Sequence, residues 1–343
     1  MFYYGGLQMK TKFFRILVLA LVGGLAVSCS NSKKERKEQV TVNIGTQTVY
    51  FEVMIAQEKG FFAEELAPYN ARVEVATFPS GPPQIEALAA KSLDFALVGD
   101  QPALQAISSG IPVKIIAGIS DGTENMGLVA RKDSGIKTVK DIKGKKIASP
   151  AGTNAYLMLI MFLEKEGLTF DDIEYVNLAI GSLIPSLING DIEGAVAYST
   201  TFAAPPEGEG IVKVQNGIGY KRNVSVIVGR TEFTDKHPDI TVAILRALQK
   251  AAKWRVDNYN ETIDVVAGFL GSEREVIIQV AASTITLLNL DQDAQDTVLI
   301  SADVLHRNDI IEKLTAEKIF DLKFQEQAGL ETYPGWRANA VNK

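Results

Sequence analysis

Residues Thr77–Ala106 read TFPSGPPQIEALAAKSLDFALVGDQPALQA, and this stretch decides the fold. Phe78-Pro79-Ser80-Gly81 is a kinked turn, and Pro82 or Pro83 supplies the fixed φ that suits the first helical position. A helix is predicted over Gln84–Ala90, followed by a short apolar strand over Leu93–Val98 with the character of a buried parallel sheet. Gly99-Asp100-Gln101-Pro102 repeats the turn and opens a second helix over Ala103–Ser108. Two neighbouring strands thus end in turns that present helix N-termini, where unpaired N–H groups and the positive end of the dipole favour an anionic or polar ligand. In an open α/β sheet, ligands bind in the crevice beyond the strand ends. Turn-making alone accounts for either turn taken singly; their repetition favours a ligand-facing edge.

Working outward, Thr41–Thr46 alternates as a strand, Gln47–Phe51 forms its exit, and Val53–Lys59 reads as a helix stopped at Gly60. Arg72–Phe78, Val113–Ile119 and Met126–Arg131 are further strands, the last reached through Asp121-Gly122-Thr123-Glu124, where the chain can leave one lobe for another. The second lobe restarts with strand Lys146–Ser149, the turn Pro150-Ala151-Gly152-Thr153-Asn154 and the strongly apolar helix Ala155–Glu166. Strands Ile173–Asn177 and Ala195–Tyr198, with a helix around Leu183–Ile188, complete it. Alternation at this spacing argues for parallel βαβ units. Val224–Gly229 is a further strand, and from Asp239 to about Phe324 the pattern is helical. Ile85, Leu88, Leu93, Asp94 and Ala96 recur as Ile184, Leu187, Ile192, Glu193 and Ala195, a constant offset of 99 residues. The echo sets Tyr198-Ser199-Thr200-Thr201 in one lobe against Gly99-Asp100-Gln101-Pro102 in the other.

Ser80–Ala106, with VNIGTQ (Val42–Gln47) and IAQEKGFF (Ile55–Phe62) before it and DIKGKKIASPAGTNAY (Asp141–Tyr156) after it, resembles the substrate-binding proteins of the nitrate, sulfonate, taurine and bicarbonate class of ABC importers. The likeness covers about Val42–Trp254. It implies an α/β fold of the periplasmic binding protein type II, two βαβ lobes with a ligand cleft between them. Residues 41–122 plus 224–343 would form lobe one and 123–223 lobe two, with Val224–Gly229 carrying the chain back to lobe one through a second crossing at Gly217–Asn223 and the C-terminal helices packed on lobe one. The implied partners are a small polar or anionic solute and an ABC permease with its ATPase, with no cofactor, the protein acting as a monomer.

Candidate solute contacts come from both lobes. Gln47, Tyr50, Phe51, Ser80, Gly81, Gly99, Asp100 and Gln101 belong to lobe one; Gly152, Thr153, Asn154, Tyr156, Tyr198 and Thr201 belong to lobe two. Relatives commonly carry Gly-Ser/Thr before a helix where Gly152-Thr153 stands, although Thr153 also reads as a plain N-cap. Many relatives follow the aromatic at Tyr198 with an acid and a proline, which Ser199-Thr200 replace here. Tyr50, Phe51, Tyr156, Tyr198 and Phe202 could furnish an aromatic cleft or simply core. A carboxylate at Asp100 would repel a bare anion, favouring a taurine-like zwitterion or a nitrogen heterocycle.

The chain is 46% hydrophobic and 22% charged, with a formal charge of −6, and its 343 residues exceed what one core usually carries. An acidic surface with no basic run in the folded part argues against nucleic acid. Lys10, Lys12 and Arg15 precede the apolar Ile16–Ala26, too short for a comfortable span and of signal-peptide length. Ala26-Val27-Ser28-Cys29 resembles a bacterial lipobox, implying a signal peptide over 1–28, acylated Cys29 as anchor to the outer face of the cytoplasmic membrane, and a solvated tether over 29–40. Met9 is a more natural start than Met1. With Cys29 the only cysteine and His237 and His306 the only histidines, neither an intramolecular disulfide nor a metal or acid–base site is expected. G-x-S-x-G, H-E-x-x-H and P-loop patterns are absent. The competing readings are an enzyme on the same fold, such as a pyrimidine-precursor synthase or menaquinone-pathway lyase, and a solute-sensing lipoprotein that imports nothing.

Overall fold

The computed structural model describes residues 38–333. In chain order its strands are β1 (Val40–Thr46), β2 (Ala71–Thr77), β3 (Phe95–Gly99), β4 (Val113–Asp121), β5 (Met126–Arg131), β6 (Lys146–Ser149), β7 (Glu174–Asn177), β8 (Gly194–Tyr198), β9 (Ile211–Asn216), β10 (Val224–Arg230), β11 (Ile285–Leu287) and β12 (Thr332–Tyr333). They form two sheets, ordered β12-β11-β4-β10-β3-β1-β2 and β7-β6-β8-β5-β9, each the centre of one lobe. β1 runs parallel to β2 and β3, whereas β10, returning from the second lobe, inserts antiparallel between β3 and β4. The second sheet follows the same plan, with β6 parallel to β7 and β8 and β5 antiparallel to β8. Cys29, the leader and the tether lie outside the described residues, apart from the tether's last three positions.

Both sheets are covered on both faces. Phe95 and Leu97 join one apolar layer of lobe one and Ala96 and Val98 the other, as the two-residue period of a strand requires. Leu128 and Val129 divide the same way in lobe two. The helix Asn154–Lys165 explains its own sequence. Met158, Leu159 and Phe162 enter the core of lobe two, while Leu157 and Ile160 pack with Leu104 and Val298 of lobe one. A helix apolar on nearly every side is one buried on nearly every side.

The helices of the opening stretch begin earlier than predicted, at Gly81 and Asp100 rather than Gln84 and Ala103. Their prolines fall in the first turn, where the missing N–H would have had no partner. β11 interrupts the region read as helical and β12 follows it; three and two residues are too few to show a period.

The 99-residue echo is structural. β3 and β8 span corresponding residues at that offset, and the helices Gly81–Ala89 and Ile180–Asn189 precede them. Asp94 Oδ2 accepts the Asn43 N–H of β1 at 2.9 Å, and Glu193 Oε2 accepts the Lys146 N–H of β6 at 2.9 Å. Their surroundings differ. Asp94 is buried against Arg230 at 2.6 Å, whereas Glu193 and its partner Lys145 are each about a third exposed. Removing one partner of a buried pair costs about 3–5 kcal/mol, while an exposed pair contributes about 0–1 kcal/mol. Asp94→Ala is therefore expected to lower stability several times more than Glu193→Ala in denaturant titrations, and equal losses would contradict this account.

Candidate functional site

Between the strand ends of the two sheets lies a cavity of about 510 Å³, its mouth included. Of the predicted contacts, Gln47, Tyr50, Gly81, Gly99, Thr153, Asn154 and Tyr198 line it. Helices beginning at Phe51, Gly81 and Asn154 start at this wall. Gln47 is held by its amide, which donates to the Leu97 carbonyl at 3.3 Å. Thr153 stands at the N-cap position of its helix, but its side chain does not cap: its hydroxyl donates to the Pro150 carbonyl at 2.7 Å. Burial pushes the Tyr50 phenol well up despite its bond with Ser225, and desolvation likewise raises Tyr198. Both therefore remain protonated and able to donate.

Ser120, Asn125, Ser199, Asn223, Ser225 and Thr284 also line the cavity and were missed. Four of them flank or occupy the two crossings, a position the sequence did disclose. Thr284 comes from the stretch read as helical and carried no signal. Every lining side chain is uncharged.

Several predicted contacts lie elsewhere. Phe51 is core, with the Arg255 guanidinium 5.1 Å from its ring, and Phe202 is buried core as well. Tyr156 stacks on Phe170 with centroids 5.4 Å apart, and Gly152, at φ +72°, borders a separate hollow with Pro82 and Gln105. Ser80 and Thr201 are half-buried beside the cavity and do not line it. Asp100 is fully buried, and its Oδ2 takes both the Lys221 ammonium and the Ser301 hydroxyl at 2.5 Å. Its Oδ1 has no hydrogen-bond partner among the described residues, but Asp100 pairs with Lys221 and does not line the cavity, which removes the reason for a cationic ligand group.

Gln101 and Asn154 instead bind the lobes together. The Gln101 N–H donates to Asn154 Oδ1 at 3.0 Å, and the Leu157 N–H donates to Gln101 Oε1 at 3.0 Å. Each helix thus receives its side-chain cap from the other lobe. Asn154 Nδ2 donates onward to Asn223 Oδ1 at 2.7 Å and to the Val224 carbonyl at 3.3 Å. This contact explains Gly99, whose φ of −63° any residue could adopt: a Cβ there would stand 2.3 Å from Asn154 Oδ1. At the rim, Arg307 forks onto Glu164 and Asn308 joins it at 2.9 Å.

The chain belongs to the NMT1/THI5-like family, whose profile matches residues 47–262, more than half its length. It is 28% identical over 317 residues to a "Putative aliphatic sulfonates-binding protein" of Bacillus subtilis (strain 168), covering 91% of this chain and 94% of that one. Its fold matches the alkanesulfonate-binding protein SsuA of Xanthomonas axonopodis pv. citri bound to MOPS, with a TM-score of 0.76 and 20% identity over 82% of this chain and 99% of that one. The desulfurization enzyme DSZB shares the fold at a TM-score of 0.64 and 16% identity, over 84% and 99% of the two chains. The architecture is thus that of the two-lobed periplasmic binding proteins, an architecture that also carries an enzyme.

Two outcomes are expected. Asp100→Asn leaves Lys221 buried without its counter-charge and should cost about 3–5 kcal/mol in denaturant unfolding, with Asp100→Asn/Lys221→Met recovering part of the loss. The Arg307 contact holds the Glu164 carboxyl below its usual range, so its contribution to lobe contact is complete above that range and is lost as pH falls through the depressed value. Small-angle scattering should then show a larger radius of gyration on acidification below about pH 4. Glu164→Gln should remove that step.

Proposed function

We propose that the protein is an extracytoplasmic solute-binding component of an ABC importer that captures an organic sulfonate between its lobes and passes it to a permease. The observation that carries this reading is the combination of three helix N-termini with a wall of uncharged donors and tyrosines. Backbone N–H groups and dipoles suit a monoanion. The apolar parts of Val49, Pro102 and the tyrosines suit an organic tail. Asp100 is paired with Lys221 and no carboxylate lines the wall, so an ammonium finds no counter-charge there. Simple alkanesulfonates are therefore preferred over taurine-like zwitterions. The wall offers no Cys, His or Lys as nucleophile or base, which favours binding over catalysis.

Residues 41–122 with 224–343 would move as one body and 123–223 as the other. The two crossings lie side by side, with Gly122 N–H donating to the Asn223 carbonyl at 3.0 Å and Gly217 N–H to that of Thr123 at 3.1 Å. A hinge at this double strap would close on a ligand that touches both lobes, because such a ligand binds the closed form better. Cys29 would be acylated and hold the monomer to the outer face of the cytoplasmic membrane. Intact-mass measurement of membrane-extracted protein should find a lipid-modified N-terminus at Cys29; a soluble chain cleaved elsewhere would remove the anchor from the proposal.

Thermal-shift measurements with ethanesulfonate, pentanesulfonate, taurine, nitrate and bicarbonate test the ligand class. A ligand at 100 times its dissociation constant adds about 2.7 kcal/mol of stability. The alkanesulfonates should raise the melting temperature more than taurine does. A shift with nitrate or bicarbonate alone would show that the sulfonate reading is wrong.

A further inference from the structure

Ser199 stands at the corner between β8 and the short helix Thr200–Ala203 with φ 60° and ψ −145°, a backbone region that is nearly the preserve of glycine. Asn70, Lys91 and Asp309 are the other non-glycine residues at positive φ among those described. These three are exposed, and Ser199 alone of the four lines the cavity. Its surroundings over-determine the strained corner. The Ser199 N–H donates to the carbonyl of Asn125 in the first crossing at 3.1 Å, and its carbonyl accepts from Phe202 at 3.1 Å and Ala203 at 2.7 Å. Its hydroxyl has no hydrogen-bond partner among the described residues.

The residue 99 positions earlier is Asp100, which occupies the same corner after β3. There the side chain is locked to Lys221 and Ser301; here it is free and faces the cavity. A glycine would occupy the corner without steric strain. A serine held there against its preference gains only what its hydroxyl does in the cavity. We infer that Ser199 is a specificity-determining residue of lobe two, its hydroxyl donating to the oxyanion of the bound solute, and that its N–H bond to Asn125 ties this contact to the crossing. No imidazole, amine or carboxylate lines the cavity to remove its proton, so the hydroxyl acts as a donor and not as a nucleophile.

This assignment rests on the sulfonate reading of the site, and two substitutions separate them. Ser199→Ala keeps the Cβ and the strain and deletes only the hydroxyl. It should weaken ethanesulfonate binding by roughly tenfold or more in calorimetry, as expected for losing a hydrogen bond to a charged group, with the ligand-free melting temperature unchanged. Ser199→Gly should lose affinity similarly while raising the ligand-free melting temperature by roughly 1–3 °C, because the corner is relaxed. Wild-type affinity for ethanesulfonate in Ser199→Ala would overturn the assignment, as would a Ser199→Gly melting temperature that does not rise. If the wild-type protein ignores ethanesulfonate but binds nitrate, the sulfonate reading fails; the Ser199 assignment then stands or falls on whether Ser199→Ala loses tenfold in nitrate affinity.

Discussion

The Asn154 carboxamide crosses from one lobe into the other and is the contact on which the closed arrangement depends. Its oxygen completes the first turn of the helix Asp100–Ser108, and its nitrogen reaches Asn223 in the second crossing and the first residue of β10. Gln101 returns the favour at Leu157. All these groups are buried, so separating the lobes without water entry would orphan each of them at about 1–3 kcal/mol. Opening must therefore be a concerted event in which water replaces a set of bonds at once. The absence of a side chain at Gly99 is a precondition, because the space a Cβ would take is where Asn154 sits.

The same surface has an apolar half. Leu157 and Ile160 leave the core of their own lobe to pack among Leu104 and Val298 of the other. Opening would wet this stripe, and the hydrophobic cost would oppose it. Beside it lies the buried pair of Asp100 with Lys221, which fixes the second crossing to the first helical turn after β3. A buried ion pair is weak evidence for stability and stronger evidence for a fixed register. Lys221 anchored in this way gives the double strap of crossings one firm end, and bending is left to the residues around it.

Much of this was legible in the chain, and the limits have physical causes. Local turn chemistry announces itself, so the corners at Gly81, Gly99 and Thr153 and the first crossing could be placed from Gly, Pro and apolar period alone, while the second crossing needed the family resemblance. The internal echo could be read because two equivalent strand ends face equivalent demands for small residues and an acid. What could not be read is partnership at long range. Nothing near Asp100 in sequence reveals that its carboxylate is taken by Lys221, 121 residues away, and by Ser301, 201 residues away. For the same reason Gln101 looked like a solute contact and is a strut between lobes. Tyr156 fails differently: two residues past Asn154 on a helix, it points to another face and stacks on Phe170. The sequence gives its depth in the helix and leaves its azimuth to packing.

The division between charged and neutral groups follows a single logic. Asp100 and Lys221 neutralise one another, as the buried Glu52 and Arg255 do elsewhere in lobe one, where Thr286 also bonds Glu52 at 2.5 Å. The wall itself is left to amides, hydroxyls, phenols and helix ends. In a site from which water is excluded, a full cation against a bound anion would gain several kcal/mol from the Coulomb term alone, about 4 kcal/mol at 4 Å for an effective dielectric constant of 20. Dipoles and shared hydrogen bonds supply attraction in smaller increments, distributed over both lobes. The contacts from the two lobes are separated as the lobes part, so opening at the crossings weakens the hold on the solute together with the bonds between the lobes. A protein proposed to deliver its cargo needs this property, and a formal ion pair in the cavity would deny it.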